Sequence, residues 1–183
     1  DINGHMWTGT RDGGVNLYNP LSSRFKFIEA DSSLNSHGNQ IREIMETPDR
    51  AIWIASDGDG LKKYDPETQE IKSFNRDSPG GEKLESNQCY SLSYDPEGFI
   101  WVGTDGGGVN IFSLKEERWI KSFRKGDNSG LGSDVAWDVF IDRKNIVWVG
   151  TEGGGLNRYN REEGTFTSYR FDPEDNSSLN GNS

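Results

Sequence analysis

Acidic, aromatic and arginine side chains beside glycine-rich turns are the residues here whose types and spacing could do chemistry. Asp57-Gly58-Asp59-Gly60 opens like a calcium loop. Such a loop closes on a bidentate Glu at its twelfth position, and counting from Asp57 that position is Thr68. Asp105-Gly106-Gly107-Gly108 is glycine-rich, as a phosphate cradle is, but a strand pattern follows it. A cradle needs a helix N-terminus there, usually with a Lys. Both segments therefore read as turns. The chain holds 30 Asp and Glu but only two His, His5 and His37, in non-equivalent turns. That leaves no Ser-His-Asp set to argue. Paired carboxylates roughly 5 to 9.5 Å apart could hydrolyse a glycoside, but so acidic a surface holds such pairs by chance. A lyase or hydrolase is the least favoured reading, and neither a catalytic residue nor a cofactor is expected. The single Cys89 excludes an intramolecular disulfide and a Cys-based zinc cage; it reads as a small buried apolar residue.

Binding remains, and two classes of position could serve it. Arg11, Asp12, Asp57, Asp59, Asp105 and Glu152 stand in equivalent glycine-rich turns. Their charge varies while the glycines repeat. Arg42, Tyr90 and Trp137 each stand three residues after Asn39, Asn87 and Asp134. Three large, chemically different side chains at one equivalent position do not express a packing constraint alone. An aromatic face with carboxylates and Arg suits a sugar: the ring stacks, and charged groups take hydroxyls or uronate carboxylates. The two classes together form the expected ligand site, with packing on neighbouring loops as the alternative.

Those positions need a frame, and composition narrows it. The 183 residues carry a net charge of −10, which argues against a nucleic-acid surface. No apolar run approaches the roughly 18 residues of a membrane helix. Only 31% of the residues are hydrophobic, yet there are 23 Gly, 6 Trp, 6 Tyr and 9 Phe. Disordered chains are poor in aromatics; glycine and aromatics together fit short strands joined by tight turns.

The frame is a repeat. Trp7, Trp53, Trp101 and Trp148 recur at nearly constant spacing, and Gly14, Gly60, Gly108 and Gly155 keep the same register. So do Tyr18, Tyr64, Phe112 and Tyr159, and likewise Phe25, Ile71, Trp119 and Phe166. Within a unit the apolar period is two. In the last unit strands are predicted at Val135 to Ile141, Ile146 to Thr151, Leu156 to Asn160 and Thr165 to Phe171. Asp95-Pro96-Glu97-Gly98 shows the turn chemistry: Asp accepts from backbone, Pro presets φ, and Gly takes the left-handed position. Four short antiparallel strands in such a repeat make a propeller blade. The predicted fold is an all-β propeller segment of about four four-stranded antiparallel blades, part of a larger propeller of the seven-blade type. The units are 1–36 (partial, lacking its first strand), 37–84, 85–131 and 132–183, or fifteen strands in one segment. Recurrent aromatics are expected to fill the layers between blades. Closure would come from further blades or from a second copy of the chain.

At these residues the sequence resembles the two-component regulator propeller repeat. The pattern lies in Leu84 to Asn87, Asp95 to Asn110 and Val147 to Tyr169, around Trp-x-Gly-Thr-x-Gly-Gly-Gly. The unit at Trp53 departs from it, with Ala55-Ser56 for Gly-Thr, Thr47 for the turn Asp and Arg50 for the turn Gly. Ser93-x-Asp95-x-x-Gly98-x-x-Trp101 also resembles the Asp-box hairpin of sialidases with one extra residue, a structural device remote from their chemistry. The repeat family implies the periplasmic, extracytoplasmic sensor region of a hybrid two-component histidine kinase, responding to polysaccharide breakdown products. It implies no catalytic residues, and membrane attachment only through segments outside this chain. A structural or protein-interaction propeller without a small ligand is the alternative.

Overall fold

The computed structural model describes residues 1–11, 13–28, 40–79 and 83–182. Its fifteen strands are β1 (Met6–Gly9), β2 (Val15–Asn19), β3 (Arg24–Ile28), β4 (Ile41–Glu46), β5 (Ile52–Ser56), β6 (Gly60–Tyr64), β7 (Ile71–Phe74), β8 (Cys89–Asp95), β9 (Phe99–Thr104), β10 (Val109–Ser113), β11 (Arg118–Phe123), β12 (Ala136–Ile141), β13 (Val147–Thr151), β14 (Gly155–Asn160) and β15 (Thr165–Tyr169). They form one three-stranded sheet, β1-β2-β3, and three four-stranded sheets, β4 to β7, β8 to β11 and β12 to β15. Every pairing is antiparallel between strands consecutive in sequence. Successive sheets face one another, and the inner strands β4, β8 and β12 lie side by side.

Alternation along the strands explains the layering. Trp53 and Ala55 pack with Cys89, Leu92, Ile100, Val102 and Phe112, in the layer between the second and third sheets. Ile52 and Ile54, the alternate residues of β5, turn the other way and meet Val15 and Ile28. Trp101, Val109 and Phe123 meet Ala136, Val139, Val147, Val149 and Phe166 in the third layer. Period-two patterning thus gives each inner sheet two apolar faces. The recurrent aromatics fill these layers only where a sheet lies on both sides. Trp53 and Trp101 are buried, whereas Phe25 on the first sheet is 66% exposed.

Close approach between sheets demands a missing side chain. A Cβ on Gly103 would sit 2.6 Å from Ser91 Oγ and 2.9 Å from the Ala136 carbonyl oxygen. The equivalent Gly150 has nothing within 4 Å, because no described sheet packs beyond it.

Each unit also carries a polar clasp. Trp7, Trp101 and Trp148 donate through Nε1 to Asp1, Asp95 and Asp142 at 2.8, 3.0 and 3.2 Å. In the divergent unit Thr47 Oγ1 accepts from Trp53 Nε1 at 3.1 Å, so Thr serves for the missing Asp. Arg50 stands for the turn glycine and adopts its positive φ of 67°, beside 91° at Gly98. Connections between units are fastened alike. Asn87, Asp134 and Asn182 accept through their backbone oxygens from Gly60, Gly108 and Gly155. Their side chains accept from the backbone N–H of Arg76, Lys125 and Phe171. Asn87 and Asp134 thus anchor the chain just before β8 and β12, three residues ahead of Tyr90 and Trp137.

Candidate functional site

The inner strands each carry a β-bulge at the same place. Pairing jumps from Ile41↔Ser56 to Glu43↔Ala55, from Cys89↔Thr104 to Ser91↔Gly103, and from Ala136↔Thr151 to Asp138↔Gly150. The residues skipped are Arg42, Tyr90 and Trp137. A bulged residue has no partner opposite it, and the local bend re-aims its side chain. Here all three are aimed into one stack. The Arg42 guanidinium lies 4.8 Å above the Tyr90 ring centroid. Tyr90 and Trp137 stack with centroids 5.0 Å apart and planes 5° from parallel. The stack crosses three sheets, and Trp137 closes it with 48% of its surface exposed.

The acids of the glycine-rich turns stand fifteen residues further on. Arg42 donates through Nε and Nη2 to Asp57 Oδ2, the former at 3.2 Å. Gln88 Nε2 donates to Asp57 Oδ1 at 3.2 Å. Tyr90 donates its hydroxyl to Asp105 Oδ2 at 2.8 Å. Burial first, and then the bond to Asp105, push the Tyr90 phenol up to about 12. Bonding to Asp57 raises the Arg42 guanidinium above its usual range. Glu152 has the same place relative to Trp137, and its side chain is exposed.

The structure thus brings Arg42, Asp57, Tyr90, Asp105 and Trp137 together, with Glu152 at the equivalent turn. Arg11 is exposed at the matching turn of the first sheet. Asp12 and His37 lie outside the described residues. Asp59 is placed differently from the expectation. It is buried and ion-paired with Lys62, which is 1% exposed. The reason is visible in the other units. There Asn110 and Asn157 occupy the Lys62 position and bind their own turn through Thr104 Oγ1 and Gly107 O, and through Thr151 Oγ1. Glycine occupies the Asp59 position, with no room for a Cβ at Gly107 or Gly154. Asp59 and Lys62 replace that Gly and Asn together, so Asp59 belongs to the blade interior. His5 accompanies Asp1 at 3.3 Å and takes no part in the site.

One layer was missed. Glu43 and Asp138 follow Arg42 and Trp137 directly. Burial, opposed by the bond from Leu92 N–H and reinforced by Asp138, raises the Glu43 carboxyl above its usual range. Their position one residue after each bulge was the available signal. A cavity of about 390 Å³ lies beside Trp137, lined by Gly150, Thr151, Gly155, Leu156, Leu179, Gly181 and Asn182. It is the outer side of the fourth sheet, beyond which no described sheet packs; the equivalent Gly103, Val109 and Leu131 meet Ala136 and Val139 of the next sheet. Among the described residues no group of three or more His, Cys, Asp or Glu could hold a metal ion, and no helix is long and apolar enough to cross a membrane.

Residues 83–106 match the two component regulator propeller. The resemblance is confirmed over Leu84 to Asn87 and Asp95 to Gly106, which hold the bulge at Tyr90 and the turn at Asp105. No curated protein matches the sequence. Among solved structures the chain is similar to the extracellular domain of the putative hybrid two component system BT3049 from B. thetaiotaomicron. The identity is 21%, the TM-score 0.73, and the match covers 93% of this chain and 23% of that one. It is similar to the extracellular domain of the putative one component system BT4673 from the same organism, at 21% identity and TM-score 0.75, over 92% and 24%. It is also similar to the WD40 β-propeller domain of Doa1, at 17% identity and TM-score 0.63, over 86% and 46%. The chain spans about a quarter of the length of the two B. thetaiotaomicron chains. These likenesses show the fold, an all-β propeller.

Proposed function

We propose that the chain is a non-catalytic, extracytoplasmic sensor segment of a hybrid two-component histidine kinase, exposed to the periplasm, that binds or relays binding of an oligosaccharide-type ligand. The observation that carries this reading is the stack: three bulges on three separate strands deliver Arg42, Tyr90 and Trp137 to one continuous surface. Packing alone does not account for three large, chemically different side chains at one equivalent position. Aromatic planes flanked by carboxylates suit a sugar, whose C–H face stacks while its hydroxyls are hydrogen-bonded. The matched regulator-propeller repeat and the extracellular domains of similar fold support the setting. Ligand would bias the packing of rigid sheets, and segments outside this chain would carry the change across the membrane. Calorimetric titration with an oligosaccharide library tests it: saturable binding that Tyr90→Ala weakens is the expected result. Absence of any binding by folded protein would overturn it.

A second reading, a protein-interaction propeller without small ligand, draws on the exposed Met6, Leu21, Phe25 and Phe27 of the first sheet. Exposed apolar groups of this kind suit further blades or a second copy of the chain. It predicts concentration-dependent molar mass in sedimentation, with no response to sugars.

A further inference from the structure

A lysine recurs at the rim of each junction between sheets. Lys26, Lys72 and Lys121 stand at one register, opposite Leu17, Lys63 and Ile111. Each meets the turn before the last strand of the next sheet, at a residue held in the left-handed region. Those residues are Gln69, Glu117 and Gly164, with φ of 63°, 46° and 69°. Lys26 Nζ donates to Gln69 Oε1 at 2.9 Å. Lys72 and Lys63 donate to Glu117 at 3.1 and 3.0 Å. At the last junction glycine has no side chain to accept. A Cβ on Gly164 would stand 3.6 Å from Lys121 Nζ and 3.8 Å from Tyr159 Oη. Among the described residues no hydrogen bond or ion pair takes either group, and Lys121 rests 4.5 Å over the Phe123 ring.

A cavity of about 370 Å³ opens beside this place, and sheets of this chain form both its walls. Phe99, Trp101 and Ile111 line it from the third sheet, Tyr159 and Arg161 from the fourth. Its origin lies in the sequence. One junction earlier, the Lys63 chain passes over the Trp53 indole, 5.6 Å from its centroid, and ends on Glu117. Ile111 is shorter at that register and Gly164 bears nothing, so the space stays open. We propose that this cavity binds a carboxylate carried on a single ring. The carboxylate takes the place that Glu117 holds one junction earlier and accepts from Lys121 Nζ and Tyr159 Oη. The ring lies against Phe99, Ile111 and Tyr159, a mainly apolar wall with few polar groups. Two acids oppose it. Asp95 is matched by Arg161, which donates to its Oδ2 at 2.8 Å. Glu97 is looser, its Oε2 3.6 Å from Arg161 Nη1. The site shares no residue with the Arg42–Tyr90–Trp137 stack and does not depend on the sugar reading.

Titration of the 183-residue chain, followed in proton–nitrogen correlation spectra, tests it. The probes are cyclohexanecarboxylate and galacturonate, with cyclohexylmethanol and galactose as their uncharged counterparts. At least one carboxylate is expected to shift the Trp101 indole and Tyr159 signals saturably, at least about tenfold more tightly than its counterpart. Binding by cyclohexanecarboxylate alone makes the ligand an apolar acid, and binding by galacturonate makes it a sugar acid. Lys121→Gln weakens the binding several-fold, and Glu97→Gln tightens it. Gly164→Glu abolishes it by supplying the carboxylate from within. Circular dichroism and melting confirm that the variants fold. If neither carboxylate binds, if the uncharged counterparts bind as tightly, or if Lys121→Gln leaves affinity unchanged, the inference fails. Sugar binding at the stack then stands or falls on its own titration.

Discussion

Tyr90 joins two of the roles that single side chains play in this molecule: its ring is a stacking plane and its hydroxyl is tied to Asp105. Burial and that bond hold the phenol neutral up to about 12. The folded value lies above the ordinary one near 10, so the stabilisation is complete below about pH 10 and disappears as pH rises through 12. Ultraviolet titration of phenolate is expected to show one tyrosine ionising near 12, and Asp105→Asn is expected to bring it down. A Tyr90 that titrates normally would remove the bond. Lys62 and Asp59 make a harder pair. Lys62→Ala leaves a buried carboxylate without its partner, a loss of roughly 3–5 kcal/mol. The double change Asp59→Gly and Lys62→Asn restores the arrangement of the other units and is expected to recover most of it, as read by urea unfolding. At this scale the sequence was partly legible. The equivalence of Arg42, Tyr90 and Trp137 could be counted from Asn39, Asn87 and Asp134. The burial of Asp59 could not, because its cause is a lysine three residues later that turns inward.

Strands and turns were more legible, since the Trp, Gly and Tyr spacings place them within a residue or two. The bulges were not. The extra residue sits at the same place in β4, β8 and β12, so comparing the units with one another does not reveal it. Sheet-to-sheet contact makes a sharp prediction here. Gly103→Ala forces a Cβ against Ser91 Oγ and the Ala136 carbonyl, and is expected to cost about 1–3 kcal/mol. Gly150→Ala, at the equivalent place with open space above it, is expected to be nearly neutral. Equal effects in denaturant melts would mean that the sheets do not pack as described.

The whole molecule behaves as a short array in which each sheet is stabilised by its neighbours. The strands of the third sheet lie between two others, and every residue of β10 is buried. Among the described residues the first sheet has a neighbour on one side only, and four of the five residues of β3 are exposed. Protection from hydrogen exchange is therefore expected to be highest in β8 to β10 and lowest in β1 to β3, and uniform protection would contradict the array. The bulges carry one more consequence. A residue with no partner across the ladder can be exchanged without disturbing the pairing that surrounds it. Arg, Tyr and Trp already occupy that place in three sheets of one chain. The proposed contact surface can therefore be rewritten rung by rung on an unchanged scaffold: variants at these three positions are expected to melt alike.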